Sequence, residues 1–281
     1  MKAFVPGHIT GFFAVKRDID PFRAGSVGCG MTLGVGATTW LEPLLPGEES
    51  EVILNGQPSP APVSRQVIDF LAPGPVRVQT DLQMVMGAGF GASGCGALGA
   101  AYLLNARFNL ALTSNQVGAV AHQAEVANGT GLGDVIAQNT GGLVIRLHPG
   151  APGTGVVDRI PIPPTRVYCL VRGPMSTSQV LSDPEVMREV NRAGERAVKE
   201  LLARPTLEEF MRLSARFARE SGLARDWMLD AMEAVEARGG QASMIMLGDS
   251  LFAVGEESEE ALREFGPVVS TYVTKWGAYL D

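Results

Sequence analysis

The sequence predicts a mixed α+β protein in two lobes, on three observations. Short runs rich in Val, Thr and Phe, separated by turn residues, fill the first part of the chain, whereas long amphipathic stretches carrying Glu and Arg dominate the second. Of the 34 glycines, 25 fall within residues 1–160, and 19 of the 30 carboxylates fall after them. Between the two parts lies HPGAPGTGVVDRIPIPPT, residues 148–165, where Pro and Gly forbid a long regular element and expose the chain. The boundary is therefore placed near residue 160, giving lobes of residues 1–160 and 161–281.

In chain order, residues 2–5, 12–16, 30–39, 51–54 and 76–84 are expected as strands. Helices are expected to begin after Ser93 and after Thr113. In SGCGALGAAYLLNARF, Leu98, Leu103 and Leu104 stand among small residues, which lets a helix pack closely although its glycines weaken it. TSNQVGAVAHQAEVAN opens on a capping Thr or Ser and continues with good helix formers. Residues 167–171 read as a strand, and residues 183–203, 206–221 and 224–238 as amphipathic helices with Glu and Arg outward. Strands at 243–247 and 250–254, a helix at 258–265 and a strand at 268–273 complete the chain.

Composition narrows the function classes. With 46% hydrophobic and 19% charged residues, the 281-residue chain is neither disordered nor fibrous and can bury a sizeable core. Cys29, Cys95 and Cys169 are far apart and form no C-x-x-C pair, so neither a disulfide framework nor a zinc knuckle is expected, and reduced cytosol is the natural compartment. The opening MKAFVPGHITGFF has too short an apolar run for a signal peptide, and no stretch approaches the roughly 20 apolar residues of a membrane span. The net charge of -7 gives no basic footprint for a nucleic acid, yet a small anion held by local loops stays possible. The acidic, helical second lobe could support a homodimer.

The most informative stretch is MGAGFGASGCGALGAA, with glycine at positions 87, 89, 91, 94, 96 and 99. A glycine-rich turn running into a helix leaves backbone N–H groups free at a positive helix end, a recipe for binding phosphate. A dinucleotide fingerprint fails on context, because no Asp or Glu occurs between Asp81 and Glu125 to hold a ribose. A Walker A loop fails because none of Lys2, Lys16, Lys199 and Lys275 follows glycine in G-K-[ST]. Close helix packing is the plainer alternative. Six glycines around one Ser at a helix start exceed what packing alone requires.

GFGASG resembles the phosphate-binding signature of the GHMP kinases, usually a G-L-G-S-S-A type segment, and AFVPGHITGFF resembles that superfamily's first motif. Within the superfamily, PGHITGFF, GSVGCG and AEVANGTGLGDV most resemble the archaeal pantoate kinases. The resemblance covers the whole length, with its strongest motifs in the first 142 residues. It implies a ribosomal S5 domain 2-like first lobe, a ferredoxin-like second lobe with extra helices, and ATP between them. It further implies ATP-dependent phosphorylation of (R)-pantoate to (R)-4-phosphopantoate in coenzyme A biosynthesis. Carried over, Gly87, Gly89, Phe90, Gly91, Ala92, Ser93 and Gly94 bind ATP, Ser93 and Glu125 hold Mg²⁺, and Asp134 faces the acceptor hydroxyl.

The residues themselves leave alternatives open. Glu125 on its helix and Asp134 after a glycine turn can converge on one site although nine positions apart. Mg²⁺ prefers one or two protein oxygens with waters and phosphates to a full protein cage, so two protein ligands suffice. An acidic residue that orients or deprotonates the hydroxyl suits phosphoryl transfer. Equally, Asp134 could cap a helix before VIAQN, Glu125 could be a solvated helix residue, and Ser93 a plain cap.

Where many members of the superfamily have Lys in a P-G-K segment, this chain has His8 in PGHITG, a group that titrates near neutrality and can donate a hydrogen bond. His8 is taken as a substrate contact, its structural alternative being an ordinary core histidine, while His122 and His148 are taken as incidental. The pantoate carboxylate calls for a cation or a nest of amides. Lys16, Arg17, Arg23 and Arg146 are candidates that sequence does not rank, and Arg17 and Arg23 are carried forward with His8. AGSVGCG, residues 24–30, is expected to let backbone approach a ligand or to form a hairpin turn. GGQASMIMLGDSLFA is a poor version of the superfamily's third motif, and Met244 and Met246 are expected in the core. The rivals are a homoserine or mevalonate type kinase, a non-catalytic nucleotide-binding regulator, and a dinucleotide oxidoreductase.

Overall fold

The computed structural model describes residues 1–175 and 184–281. Its spine is an antiparallel pair of long strands, β1 (Ala3–Lys16) and β2 (Gly25–Pro43). Sequence alone divides β1 into two pieces because PGHITG reads as a turn. The strand runs through it by means of two irregularities, between Pro6 and His8 and between Thr10 and Phe12, which absorb the Pro and Gly without ending the ladder. GSVGCG is likewise strand within β2 and neither a loop nor a turn.

Because β2 is 19 residues long, its two halves pair with different partners on the side away from β1. Residues Ala37 to Pro43 pair with β5 (Val76–Leu82), and Gly28 to Met31 pair with β6 (Leu143–His148). Then β3 (Glu51–Leu54) and β4 (Gln57–Ser59) extend one end, β7 (Val156–Ile160) flanks β6, and β12 (Tyr279–Leu280) closes the edge beside β1. This eight-stranded sheet packs against α1 (Pro62–Leu71), α2 (Ala92–Phe108), α3 (Ser114–Asn128) and α4 (Asp134–Thr140) through Val5, Val67, Val78, Leu98 and their neighbours. The run at 148–165 is not wholly irregular, since it contains the five-residue β7.

A second, four-stranded antiparallel sheet has the order β11 (Val268–Tyr272), β8 (Arg166–Pro174), β10 (Gly248–Val254), β9 (Gln241–Met244). With α8 (Ser258–Arg263) between β10 and β11, and three helices between β8 and β9, this is the βαββαβ arrangement of a ferredoxin-like unit with extra helices. The three helices, α5 (Pro184–Ala203), α6 (Leu207–Glu220) and α7 (Asp226–Ala237), lie where their apolar spacing puts them. Asp183, expected at the start of α5, lies outside the described residues.

In α5 the buried set Met187, Val190, Ala193, Gly194, Ala197 and Leu201 follows helical spacing. Gly194 faces the Phe13 carbonyl, and a Cβ there would collide with it, so the helix approaches β1 closely. Phe12 of β1 meets Phe210 at 5.9 Å and Phe217 at 6.4 Å between ring centroids, within a core that continues to Phe252. β1 therefore feeds two cores, Val5 to the first and Ile9 and Phe12 to the second. No helix among the described residues is long and apolar enough to cross a membrane, and all three cysteines are buried free thiols.

Candidate active site

A cavity of about 400 Å³ lies where the glycine loop, the α3–α4 turn and the floor of the first sheet meet. The loop contributes Gly87 and residues 89–93, the turn contributes residues 128–134, the floor contributes Thr10, Ser26 and Arg146, and Met246 and Leu247 of the β9–β10 turn form the rim.

The structure divides the six glycines into two sets. Gly87, Gly89 and Gly91 have φ of 75°, 87° and 64°, a left-handed backbone in which side chains are strained. Gly94, Gly96 and Gly99 instead let α2 pack, since a Cβ would lie 2.9 Å from Gln138 Oε1, 3.1 Å from Ser64 Oγ and 2.6 Å from Thr39 Oγ1 respectively. The packing alternative is thus correct for the second set and incomplete for the first.

Four of the loop carbonyls are tied to other parts of the chain. Gly87 O accepts from Met175 N at 2.9 Å, Ala88 O from Ser250 Oγ at 2.9 Å, Phe90 O from His8 N at 3.0 Å, and Gly91 O from Gln138 Nε2 at 2.9 Å. No side chain caps α2, so its first N–H groups and positive end are left for an anion.

Opposite the loop, α3 ends at Gly129 in a left-handed cap, and α4 begins at Asp134 with Gly133 as its N-cap. Asp134 is thus the first helical residue and does not cap α4. Ser93 is the second residue of α2, behind its N-cap Gly91, so it is not a cap either. Glu125 is 1% exposed, which removes the solvated-residue alternative. Its carboxylate is hydrogen-bonded by Ser93 and by Thr130 Oγ1, the latter at 2.8 Å. Burial pushes its pKa up to about 7, and the nearby Asp134 charge adds to the rise while the two hydroxyls oppose it.

Such a site fits a hard divalent cation. A buried carboxylate beside a second carboxylate and a hydroxyl offers only oxygen donors and lacks a compensating cation of its own at Glu125. Among the described residues no group of three or more His, Cys, Asp or Glu could hold a metal, and Mg²⁺ in general needs only one or two protein oxygens when phosphates and water complete its shell.

Arg146 completes the floor, and His8 lies behind it. His8 is fully buried, and its Nδ1 lies 2.7 Å from Asp134 Oδ1. It is absent from the cavity lining, and the contact the structure shows for its ring is with Asp134. Arg146 is 1% exposed on β6, with Nε and Nη1 unpartnered. Burial lowers its pKa while Asp134 opposes the shift, and a guanidinium remains charged throughout. Room for it comes from Gly133 and Gly28, where a Cβ would lie 2.7 Å from Nε and 3.0 Å from Nη2.

Of the four cations considered for the carboxylate, Arg146 is the one that lines the cavity. Arg17 and Arg23 are exposed and outside the cavity lining, Arg23 beside Asp20 at 3.7 Å, and Lys16 pairs with Glu195. A charged residue inside the apolar run GGLVIRLH was the signal that could have ranked Arg146 first. Sequence reasoning also passed over Thr130, Gln138 and Ser26. Met244 and Met246 are buried as expected, but Met246 also lines the cavity. His122 is buried, with Nε2 2.9 Å from Ala24 O.

Residues 63–142 match the GHMP kinases N terminal domain. A pantoate kinase of Thermococcus kodakarensis is 36% identical over 273 residues, which span 93% of this chain and 90% of that protein. A solved structure described as a phosphotransferase related to the CoA biosynthesis pathway superposes with a TM-score of 0.89 at 32% identity, over 99% of this chain and 97% of its own. The homoserine kinase of Cytophaga hutchinsonii shares the fold, with a TM-score of 0.73 at 17% identity over 99% of this chain and 96% of its own.

Proposed function

Because the chain belongs to the GHMP kinases, and within them to the pantoate kinases, we propose that it transfers the γ-phosphoryl group of ATP to the primary hydroxyl of (R)-pantoate. The products are (R)-4-phosphopantoate and ADP, in coenzyme A biosynthesis. Residues 1–160 form the ATP-binding and catalytic lobe and 161–281 the second lobe on this reading, and the reaction is assigned to the cytoplasm, where buried thiols stay reduced.

The observation that carries the roles is the convergence of the glycine loop, Asp134 and an unpartnered buried Arg146 on one cavity. ATP phosphates are cradled by Gly87, Gly89, Phe90, Gly91, Ala92, Ser93 and Gly94, whose N–H groups and helix end neutralise charge. Mg²⁺ would be held by Ser93 and Glu125 and would supply further charge neutralisation at the phosphates. Arg146 receives the pantoate carboxylate, because a guanidinium with two free N–H-bearing nitrogens matches a carboxylate in a fork. Asp134 Oδ1 is occupied by His8, which leaves Oδ2, on the Gly131 side, to accept the hydroxyl proton. As that proton leaves, the pantoate oxygen bonds to the γ-phosphorus and the bond to the bridging oxygen of ADP breaks.

Measuring ADP release with pantoate, homoserine, mevalonate and shikimate tests the substrate, and pantoate is expected to be preferred by at least about 100-fold. Asp134→Asn should lower kcat at least about 100-fold while ATP still binds. Preference for another alcohol sinks the substrate assignment, and a fully active Asp134→Asn sinks the base.

A further inference from the structure

We infer that His8 is a positioning residue: its Nδ1–H fixes the Asp134 carboxylate in its reactive orientation, and it touches neither pantoate nor ATP. This rests on the reading of Asp134 as the base.

His8 is buried by its place on β1, underneath the cavity and not within its lining. Two contacts hold it there. Its backbone N–H donates to Phe90 O at 3.0 Å, which joins it to the phosphate loop, and its Nδ1 lies 2.7 Å from Asp134 Oδ1 on α4. One residue thus connects the loop that carries the phosphate donor to the group that takes the acceptor's proton.

The far side of the ring is closed. Nε2 has no hydrogen-bond partner, and a Cβ on Gly30 would collide with it and lie 2.9 Å from Cε1. Only glycine at position 30 leaves space for the imidazole where it meets Asp134, so the ring packs directly against the β2 backbone. Because a carboxylate oxygen accepts, the hydrogen belongs on Nδ1. The bare Nε2 is then an unpaired acceptor, which costs less than the unpaired donor that a second proton would create.

The charged groups facing the ring are Asp134 on α4 and Arg146 on β6. Burial pushes its pKa below the ordinary histidine value, Arg146 adds to this, and the Asp134 contact opposes it without reversing it. A neutral donor orients the base while adding no positive charge to hold back its proton affinity. The fixed cation of the floor is Arg146, set apart for the substrate carboxylate.

Two amide variants separate positioning from the other roles. In His8→Asn the side-chain amide can occupy the place of Nδ1–H, whereas in His8→Gln it extends toward the place of Nε2. His8→Gln should lower kcat about 100-fold with KM for pantoate and ATP within about twofold, and His8→Asn should lose no more than about threefold. The acidic limb of the His8→Asn pH profile should coincide with that of the unaltered enzyme.

Unimpaired kcat in His8→Gln overturns the inference. So does a raised KM for pantoate with intact kcat in either variant, which would mean substrate contact. Loss of the acidic limb in His8→Asn would make His8 itself the titrating base and overturn it as well. If His8→Gln does not fold, His8→Asn still decides through its KM values and pH profile. An inactive Asp134→Asn beside an active His8→Gln refutes positioning alone, and an active Asp134→Asn removes the base on which it rests.

Discussion

Glu125 and Asp134 face each other across Gly131: a Cβ on that glycine would collide with Glu125 Oε2 and lie 3.3 Å from Asp134 Oδ2. The nine positions that separate the carboxylates in sequence close to a gap that one missing methyl group keeps open.

Gly131 does not have a positive φ, so alanine there is excluded by space and not by backbone conformation. Gly131→Ala should displace one carboxylate and reduce kcat at least about 100-fold, since misplacement of this kind costs about two orders of magnitude. Steady-state kinetics with circular dichroism to confirm folding would check it.

The metal-free protein should lose stability as pH rises from about 4.5 to about 7, the span over which burial keeps the proton on Glu125 in the folded state after the unfolded chain has released it. Below that window both states are protonated, and above it the full loss, on the order of 3 kcal/mol, is present. Glu125→Gln should therefore melt higher than the metal-free parent at pH 8 and match it near pH 4.5, while turnover is abolished. A lower melting temperature at pH 8 would contradict this.

Arg146→Met preserves length and removes charge. It should raise KM for pantoate at least about 30-fold, because loss of one partner of a buried, hydrogen-bonded charge pair costs about 2 kcal/mol or more. KM for ATP should change less than about twofold, and Arg146→Lys should recover little, since an ammonium lacks the fork. Initial rates over a matrix of both substrates supply the comparison.

Phe12 is fully buried between Phe210 and Phe217. Phe12→Ala should cost about 3–5 kcal/mol, measured by denaturant unfolding. A loss below about 1 kcal/mol would mean that this ring cluster relaxes around the cavity.

The second-lobe helices were legible because α5, α6 and α7 show their apolar faces at a spacing that tertiary context did not override. The first lobe was harder. In β1, Pro6, Gly7 and Gly11 imitate turn signals, and only the pairing with β2 shows that irregular register carries the strand past them. Helix α1 was missed although Pro62 stands at its start and Val63, Val67, Ile68 and Leu71 recur along one face. Spacing located Glu125 and Asp134, but not the His8–Asp134 contact, which joins residues 126 positions apart. The same limit applied to Gln138, whose role depends on Gly91 across the loop.

The carbonyls of Gly87, Ala88, Phe90 and Gly91 are gripped by four separate parts of the chain, so the cradle has its shape before any phosphate arrives. Ordering this loop is part of folding and not of binding, and nucleotide association gives up little chain entropy there. Heat released on nucleotide binding should accordingly reflect the new contacts, without the signature of a segment that folds around its ligand.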